Sequence, residues 1–533
     1  MLSERLDFIA ALFQEAGIFQ WFVSPGSRNA PIVAALLRNG NFTLHSFPDE
    51  RSCAFAAMGN AIQYRYPAAF LCTSGSALAN AYPAVLEAYY QRIPLVIVSA
   101  DRPEDRIDQW DGQTIRQNNF FGEYARSSCH INAREYPLKD IGQVLFSTIQ
   151  KGLEGIQGAV HINIALPEPI YEGIQNPAAP NSKIPAFVYK SPEYPPVLTE
   201  EIRLITENKK VMVLVGQHVE SRILSDVLER LQERVTVICD ITSRQNLFGL
   251  KSWDWGLFKR DIPDNLAPDL IITMGMGFIS KPLKQALTKW QPQHIHVGLF
   301  TEVGNPFQTN PQIWQAHEAD FAEAFYQSIL PNSLGDSINY RMRWEEFIAS
   351  QTLKFNHLEE PFRSEAQFME LLLKHLDENT HLHLGNSMSV RYGSWVGNTA
   401  SKVYSNRGVS GIDGCLSTAV GDALGNPEVP VWVVLGDVSA IYDSNALWSM
   451  IPRNLTVVIL NNSGGRIFDF IEGPNEATEI RNFVHTPVDF NFEYLAKLHK
   501  IPHQRVSIQK VLENLSDSID LTITGRLIEL IHT

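Results

Sequence analysis

Residues 429–468 read VPVWVVLGDVSAIYDSNALWSMIPRNLTVVILNNSGGRIF. Two short apolar runs rich in β-branched residues, VPVWVVL and LTVVIL, are each bounded by turn residues, and SNALWSMIPRN between them is long enough for a crossover helix. The pattern is strand, helix, parallel strand, which brings the ends of both strands to one edge of a sheet. Asp437 follows the first strand and Asn462 the second, so residues 25 apart in sequence stand side by side at that edge. A hard cation takes oxygen ligands. One carboxylate, one amide oxygen and one backbone carbonyl suit a magnesium ion that keeps phosphate and water in its other positions. Asp437, Asn462 and the Gly464 carbonyl are the candidates; the alternative is that Asp437 merely caps the helix after it.

The remaining composition narrows the class. The chain has 533 residues, enough for three or four domain-sized cores, and 44% of them are hydrophobic, as in ordinary globular proteins. Lys and Arg total 44 against 58 Asp and Glu, a net charge of -14, which argues against a nucleic-acid partner or an anionic membrane surface. Anionic ligands must therefore meet positive charge concentrated locally. Cys53, Cys72, Cys129, Cys239 and Cys415 are scattered without a CxxC pair, as expected of buried thiols in a reducing compartment. MLSERLDFIA lacks the pattern of a signal peptide and no apolar run is long enough to span a bilayer. The expected location is the cytoplasm.

Strand and helix patterns alternate in three successive sets, so the expected class is α/β, with three doubly wound parallel-sheet domains. The expected boundaries are 1–182, 183–355 and 356–533. The first set includes FQWFVSPGSRNAPIVAALL, AAFLCTSGSALANAYPAVLEAYY and PLVIVSADRPEDR, and ends in a Pro-rich linker, PEPIYEGIQNPAAPNSKIPAFVYKSPEYPPV. The second contains KKVMVLVGQHVESRIL, whose turn lacks the three glycines of a dinucleotide fingerprint. The third runs from EAQFMELLLKHL through the cation motif to the C-terminus.

The Gly-Asp and Asn spacing resembles the thiamine diphosphate motif. Val438 and Ser439 stand where most of that superfamily has a further Gly, and NNSGGRIF replaces the tyrosine-bearing sequence usual in acetolactate synthases. With PDER around Glu50, these segments resemble the 2-succinyl-5-enolpyruvyl-6-hydroxy-3-cyclohexene-1-carboxylate synthase (MenD) family. The resemblance implies pyrimidine-binding, central and pyrophosphate-binding domains, thiamine diphosphate with Mg2+ or Mn2+ as cofactors, and a homodimer or homotetramer with active sites between subunits. It implies that Glu50 bonds the aminopyrimidine so that the cofactor generates its own nucleophilic carbon. From the local sequence alone, Glu50 reads first as a charge at a helix start, and the resemblance reverses that reading.

Further roles follow from the same resemblance. Ile412 holds the cofactor bent, and Ser439, Ile467 and Phe468 join Asp437, Asn462 and Gly464 around it. Ser27, Arg28, Arg102, Gln113 and Lys281 are implied to face isochorismate, and Ser387, Arg391 and Arg407 the succinyl end derived from 2-oxoglutarate. Arginine suits such dianions because its planar fork gives a carboxylate two hydrogen bonds, although any one of these arginines alone reads as a surface ion pair. The implied reaction decarboxylates 2-oxoglutarate and adds the succinyl unit to isochorismate in menaquinone biosynthesis. The alternatives are another thiamine diphosphate carboligase, such as acetohydroxyacid synthase, and a non-catalytic nucleotide-binding α/β protein. His294 and His296 in QHIHVG share a strand face but lack a third metal ligand nearby, and TSGSALAN lacks the elbow of a serine hydrolase.

Overall fold

The structure, a computed structural model, describes residues 1–62, 66–174, 184–187, 196–218, 220–245, 250–329, 335–350, 355–397, 399–449, 451–469 and 479–532. Three parallel sheets follow one another along the chain. The first contains β1 (Gln20–Val23), β2 (Thr43–Ser46), β3 (Ala68–Cys72), β4 (Leu95–Asp101), β5 (Ser127–Asn132) and β6 (Ala159–Ala165), in the order β2-β1-β3-β4-β6-β5. The second contains β7 (Val211–Val215), β8 (Thr236–Cys239), β9 (Leu270–Met274), β10 (Gln293–Gly298) and β11 (Pro311–Gln315), in the order β11-β10-β9-β7-β8. The third contains β12 (His381–Leu384), β13 (Lys402–Tyr404), β14 (Val431–Gly436), β15 (Leu455–Asn461), β16 (His503–Ser507) and β17 (Arg526–Ile531), in the order β13-β12-β14-β15-β17-β16. Helices cover both faces of these sheets, which is why central strands such as β4 and β6 are buried along their whole length. The fold class is the one expected from the alternating pattern. Much of the Pro-rich linker, and with it the boundary at 182, lies outside the described residues.

Each sheet has one point at which the chain, having built outward to one edge, returns to build in the other direction. In open α/β sheets a crevice forms there, beyond the carboxyl ends of the strands. The three points lie between β1 and β3, between β7 and β9, and between β12 and β14. In the second sheet the crevice is bridged by backbone: Gln217 N–H donates to the Gly277 carbonyl at 3.1 Å and Met276 N–H to the Gln217 carbonyl at 2.8 Å. The other two are the sites of interest.

The crossover between β14 and β15 departs from expectation. Its helix is only six residues, Asp437–Tyr442, and begins at the aspartate itself, while Ser444–Ser449 forms a 3-10 turn. The cause lies at Asp443, whose buried carboxylate accepts the Ser417 amide at 2.7 Å and the Ser417 hydroxyl at 2.6 Å, and so draws the chain out of helical continuation. Register is as required: Gly436 lies opposite Leu460, so Asp437 and Asn462 leave neighbouring strands at one edge.

The first and third sheets are joined by two helices, Glu50–Ala61 and Cys415–Gly425, which approach so closely that small residues are obligatory. A Cβ at Gly421 would lie 1.9 Å from the Ala56 carbonyl oxygen, and one at Gly59 2.0 Å from that of Thr418. The low amphipathicity of ERSCAFAAMGNA follows from burial on nearly every side. Gly421→Leu is therefore expected to force the helices apart. A calorimetric melt should show its midpoint lowered by roughly 2–12 °C, from an overpacking cost of about 1–3 kcal/mol.

Candidate active site

The crevice between β12 and β14 opens into a cleft of about 580 Å³. Three chain turns build it. After β12, Gly385, Asn386 and Ser387 lead into the helix Met388–Val396, which carries Arg391. Asn386 fastens the neighbouring loop to this edge, its amide donating to the carbonyls of Asn406 at 2.6 Å and Gly411 at 2.7 Å. That loop carries Arg407 and Ile412. After β14 comes Asp437, and after β15 come Asn462 and a sharp turn at Ser463 and Gly464. Gly464 has φ +134, and a Cβ there would meet the His485 carbonyl oxygen at 2.8 Å, so only glycine closes this turn.

Asp437 is nearly inaccessible and is held by backbone. Its Oδ1 accepts the Val438 amide at 2.7 Å and its Oδ2 the Gly464 amide at 2.8 Å. Burial nevertheless pushes the carboxyl up to about 6, those amides opposing and the nearby Glu365 charge adding to the rise. Asn462 donates its Nδ2 to Glu365 at 2.9 Å, while its Oδ1 is buried with no hydrogen-bond partner. A carboxylate and an orphaned amide oxygen, facing one cleft from adjacent strands, fit a hard divalent cation. The Ser439 hydroxyl donates to the Ile412 carbonyl at 2.9 Å and so ties the loop bearing that hydrophobe to the Asp437 helix.

Positive charge gathers at the opposite wall. Arg391 Nη1 donates to the Ser387 carbonyl, and Arg407 Nη1 to Asn386 Oδ1 at 3.0 Å. Burial lowers the pKa of both guanidinium groups, and the charge of Arg407 lowers that of Arg391 further. Two crowded, partly desolvated cations are relieved by an anionic ligand.

The models of the thiamine pyrophosphate enzyme N-terminal TPP binding domain and C-terminal TPP binding domain match residues 6–120 and 374–526. A 2-succinyl-5-enolpyruvyl-6-hydroxy-3-cyclohexene-1-carboxylate synthase of Flavobacterium johnsoniae is 32% identical over 95% of this chain and 91% of its own length. The chain belongs to the MenD family. The namesake enzyme of Desulfotalea psychrophila is 35% identical over 89% of this chain and 88% of its own, and that of Bacteroides thetaiotaomicron 34% over 89% and 85%.

Ten of the residues that the MenD resemblance picked out line this one cleft: Ser387, Arg391, Arg407, Ile412, Asp437, Ser439, Asn462, Gly464, Ile467 and Phe468. Ser27, Arg28, Glu50, Arg102 and Gln113 do not line it. They lie at the carboxyl edge of the first sheet, on turns after β1, β2 and β4. Glu50 is the first residue of its helix, behind the cap Asp49, and accepts a hydrogen bond from Asn80 at 3.3 Å. Arg28 is almost fully buried, donating to the Leu166 carbonyl at 2.9 Å and to Glu168 at 3.0 Å, while its Nε has no partner. Gly75 brings its backbone against Gln113, where a Cβ would lie 3.1 Å from the Gln113 Cα. Arg102 is half-buried, 3.8 Å from Asp111.

Lys281 belongs to neither set. It is the exposed first residue of the helix Lys281–Trp290. One turn on, Lys284 is half-buried and near enough to Arg407 and Arg391 for their charges to add to the burial that lowers its pKa. Sequence reasoning also missed Glu365, Asn386 and His485 in the cleft wall, and assigned no role to Arg466 although it stands within the quoted NNSGGRIF. His294 and His296 are core histidines bridged by Thr273 Oγ1 at 2.8 and 2.9 Å, each pushed down to about 4 by burial. Among the described residues no cluster of three or more His, Cys, Asp or Glu side chains is disposed to hold a metal, and no helix is long and apolar enough to cross a membrane.

Asp443, below the cleft, gives a pH signature. Burial pushes its carboxyl up to about 7 despite two hydrogen bonds from Ser417. A carboxyl raised in the folded state binds more protons folded than unfolded, so its contribution falls as pH climbs from about 4 to about 7. Buried neutral histidines such as His294 and His296 act in the opposite sense over the same window, so the signature of Asp443 is read as a difference. The melting temperature of Asp443→Asn relative to wild type is expected to rise as pH climbs through that window, and a difference that does not change with pH would contradict it.

Proposed function

We propose that this protein decarboxylates 2-oxoglutarate and adds the remaining succinyl unit to isochorismate in a Stetter-like 1,4-addition. The products are carbon dioxide and 2-succinyl-5-enolpyruvyl-6-hydroxy-3-cyclohexene-1-carboxylate, an intermediate of menaquinone biosynthesis. The observation that carries the reading is the pairing, across one cleft, of Asp437 and Asn462 with Arg391 and Arg407. Thiamine diphosphate, when bound, supplies the carbon nucleophile and the electron sink for decarboxylation and carbon–carbon bond formation.

The chain's own residues bind, orient and exclude water. Asp437, Asn462 and the Gly464 carbonyl would hold the divalent cation, Mg2+ or Mn2+, whose charge would offset that of the cofactor's phosphates. Ile412, Ser439, Ile467 and Phe468 shape the wall around the cofactor. Arg391 and Arg407, with Ser387, take the carboxylate at the succinyl end, where charge matching within a partly buried site gives more than it would in water. Glu50 would hydrogen-bond the cofactor's pyrimidine ring, and Ser27, Arg28, Arg102 and Gln113 would face isochorismate.

Because the Glu50 set does not line the cleft of its own chain, the active site is assigned to two copies, in a homodimer or a homotetramer. The five unpaired thiols accord with a cytoplasmic protein. The test follows carbon dioxide released from 2-oxoglutarate and the disappearance of isochorismate together. Coupled, equimolar change is expected. Pyruvate consumption at the same rate without isochorismate would instead identify a different thiamine diphosphate carboligase.

A further inference from the structure

Behind the cleft lies a carboxylate that neither the spacing motif nor the cofactor chemistry calls for. Glu365, on the helix Phe362–His375, is completely buried. Its Oε2 accepts the hydroxyl of Tyr392 at 2.7 Å, and Tyr392 is itself fully buried. Its Oε1 accepts Asn462 Nδ2 at 2.9 Å and faces His532 Nε2 at 3.0 Å. The carboxylate is thus fixed on both oxygens, with Asn462 on the side of the cleft.

An asparagine amide has a donating end and an accepting end, and a half-turn about its last bond exchanges them. A carboxylate has no hydrogen to give, so Glu365 admits only the orientation in which Nδ2 faces it. The Oδ1 then occupies the other position, where it is buried without any hydrogen-bond partner. A buried acceptor left unpaired is destabilising, and here that cost is imposed by the neighbour behind.

We propose that Glu365 is a positioning residue for the cation site: it fixes the amide of Asn462 with the oxygen toward the cleft, and it makes asparagine rather than aspartate the competent ligand at 462. This rests on the assignment of the divalent cation to Asp437 and Asn462. An aspartate at 462 would be the stronger ligand in isolation. Opposite Glu365, however, it would set two carboxylates at hydrogen-bond distance in a buried place with no hydrogen between them.

The test uses the full chain with thiamine diphosphate and Mn2+, the bound metal being read by electron paramagnetic resonance, together with a thermal melt of every variant. Wild type is expected to bind Mn2+; if it does not, the cation assignment fails, separately from the role of Glu365. Asn462→Asp should bind at least tenfold more weakly. Glu365→Gln keeps a carbonyl for Asn462 and an amide end toward the Tyr392 hydroxyl, and should stay within about threefold of wild type. Adding Glu365→Gln to Asn462→Asp should recover affinity to within about threefold of wild type, since the glutamine amide can turn to donate. If Asn462→Asp fails to fold, the same coupling is read as recovery of the folded state in the double variant. Undiminished Mn2+ affinity in Asn462→Asp, or a double variant no better than Asn462→Asp in binding or folding, would overturn the proposal.

Discussion

Asp437→Ala is expected to abolish magnesium-dependent binding of thiamine diphosphate, with calorimetry showing an affinity weaker by on the order of a hundredfold or more. Two effects combine. The substitution removes the one carboxylate of the proposed ligand set, and with it the acceptor for the Gly464 amide, which shapes the turn carrying the backbone carbonyl. A purely structural role for Asp437 predicts a different pattern, a lowered melting temperature with cofactor affinity nearly unchanged once the protein is folded. Asp437→Asn keeps a single acceptor oxygen and should fall between wild type and alanine. Undiminished binding in the alanine variant would remove the cofactor assignment altogether.

Glu50→Gln is expected to lower turnover by about 10²–10⁴-fold while leaving magnesium and thiamine diphosphate affinity within a few-fold of wild type. The separation follows from geometry. Glu50 lies outside the cleft that contains Asp437 and Asn462, and its hydrogen bond from Asn80 is long at 3.3 Å, so an isosteric amide disturbs little of the fold. Turnover is read from carbon dioxide release with both substrates present, and affinity from calorimetry. Parallel loss of both would mean that Glu50 contributes chiefly to binding or to folding.

What could be read from the sequence follows from how locally each feature is encoded. The adjacency of Asp437 and Asn462 is legible because parallel strands of fixed direction convert a sequence spacing into neighbouring strand ends, whereas the positive φ of Gly464 emerges only from the folded turn. Arg391 and Arg407 needed the family resemblance, since an arginine after a strand carries no label of its own. Glu365 was invisible, lying 97 residues before its partner Asn462 on a helix whose pattern otherwise reads as amphipathic. The length of the crossover helix was misjudged because its end is set by a tertiary contact, Asp443 to Ser417, that no local propensity encodes. Lys281 stands on the resemblance alone: its side chain is solvent-exposed in the single chain, while Lys284 one turn later feels the charges of Arg407 and Arg391.

The proposed site is divided between two copies of the chain. Asp437, Asn462, Arg391 and Arg407 share a cleft on the third sheet, whereas Glu50, Ser27, Arg28, Arg102 and Gln113, to which the proposal gives the pyrimidine ring and isochorismate, lie at the edge of the first. The most direct test mixes two variants, each inactive alone. Glu50→Gln and Asp437→Ala subunits are exchanged, the exchange is demonstrated by mass spectrometry of the intact assemblies, and carbon dioxide release coupled to isochorismate consumption is measured. A hybrid dimer contains one site with both defects and one with neither, so activity should reappear, at about half the wild-type rate per hybrid dimer if its two sites act independently. If exchanged hybrids remain as inactive as the parent variants, Glu50 and Asp437 act within one chain, and the shared site is contradicted.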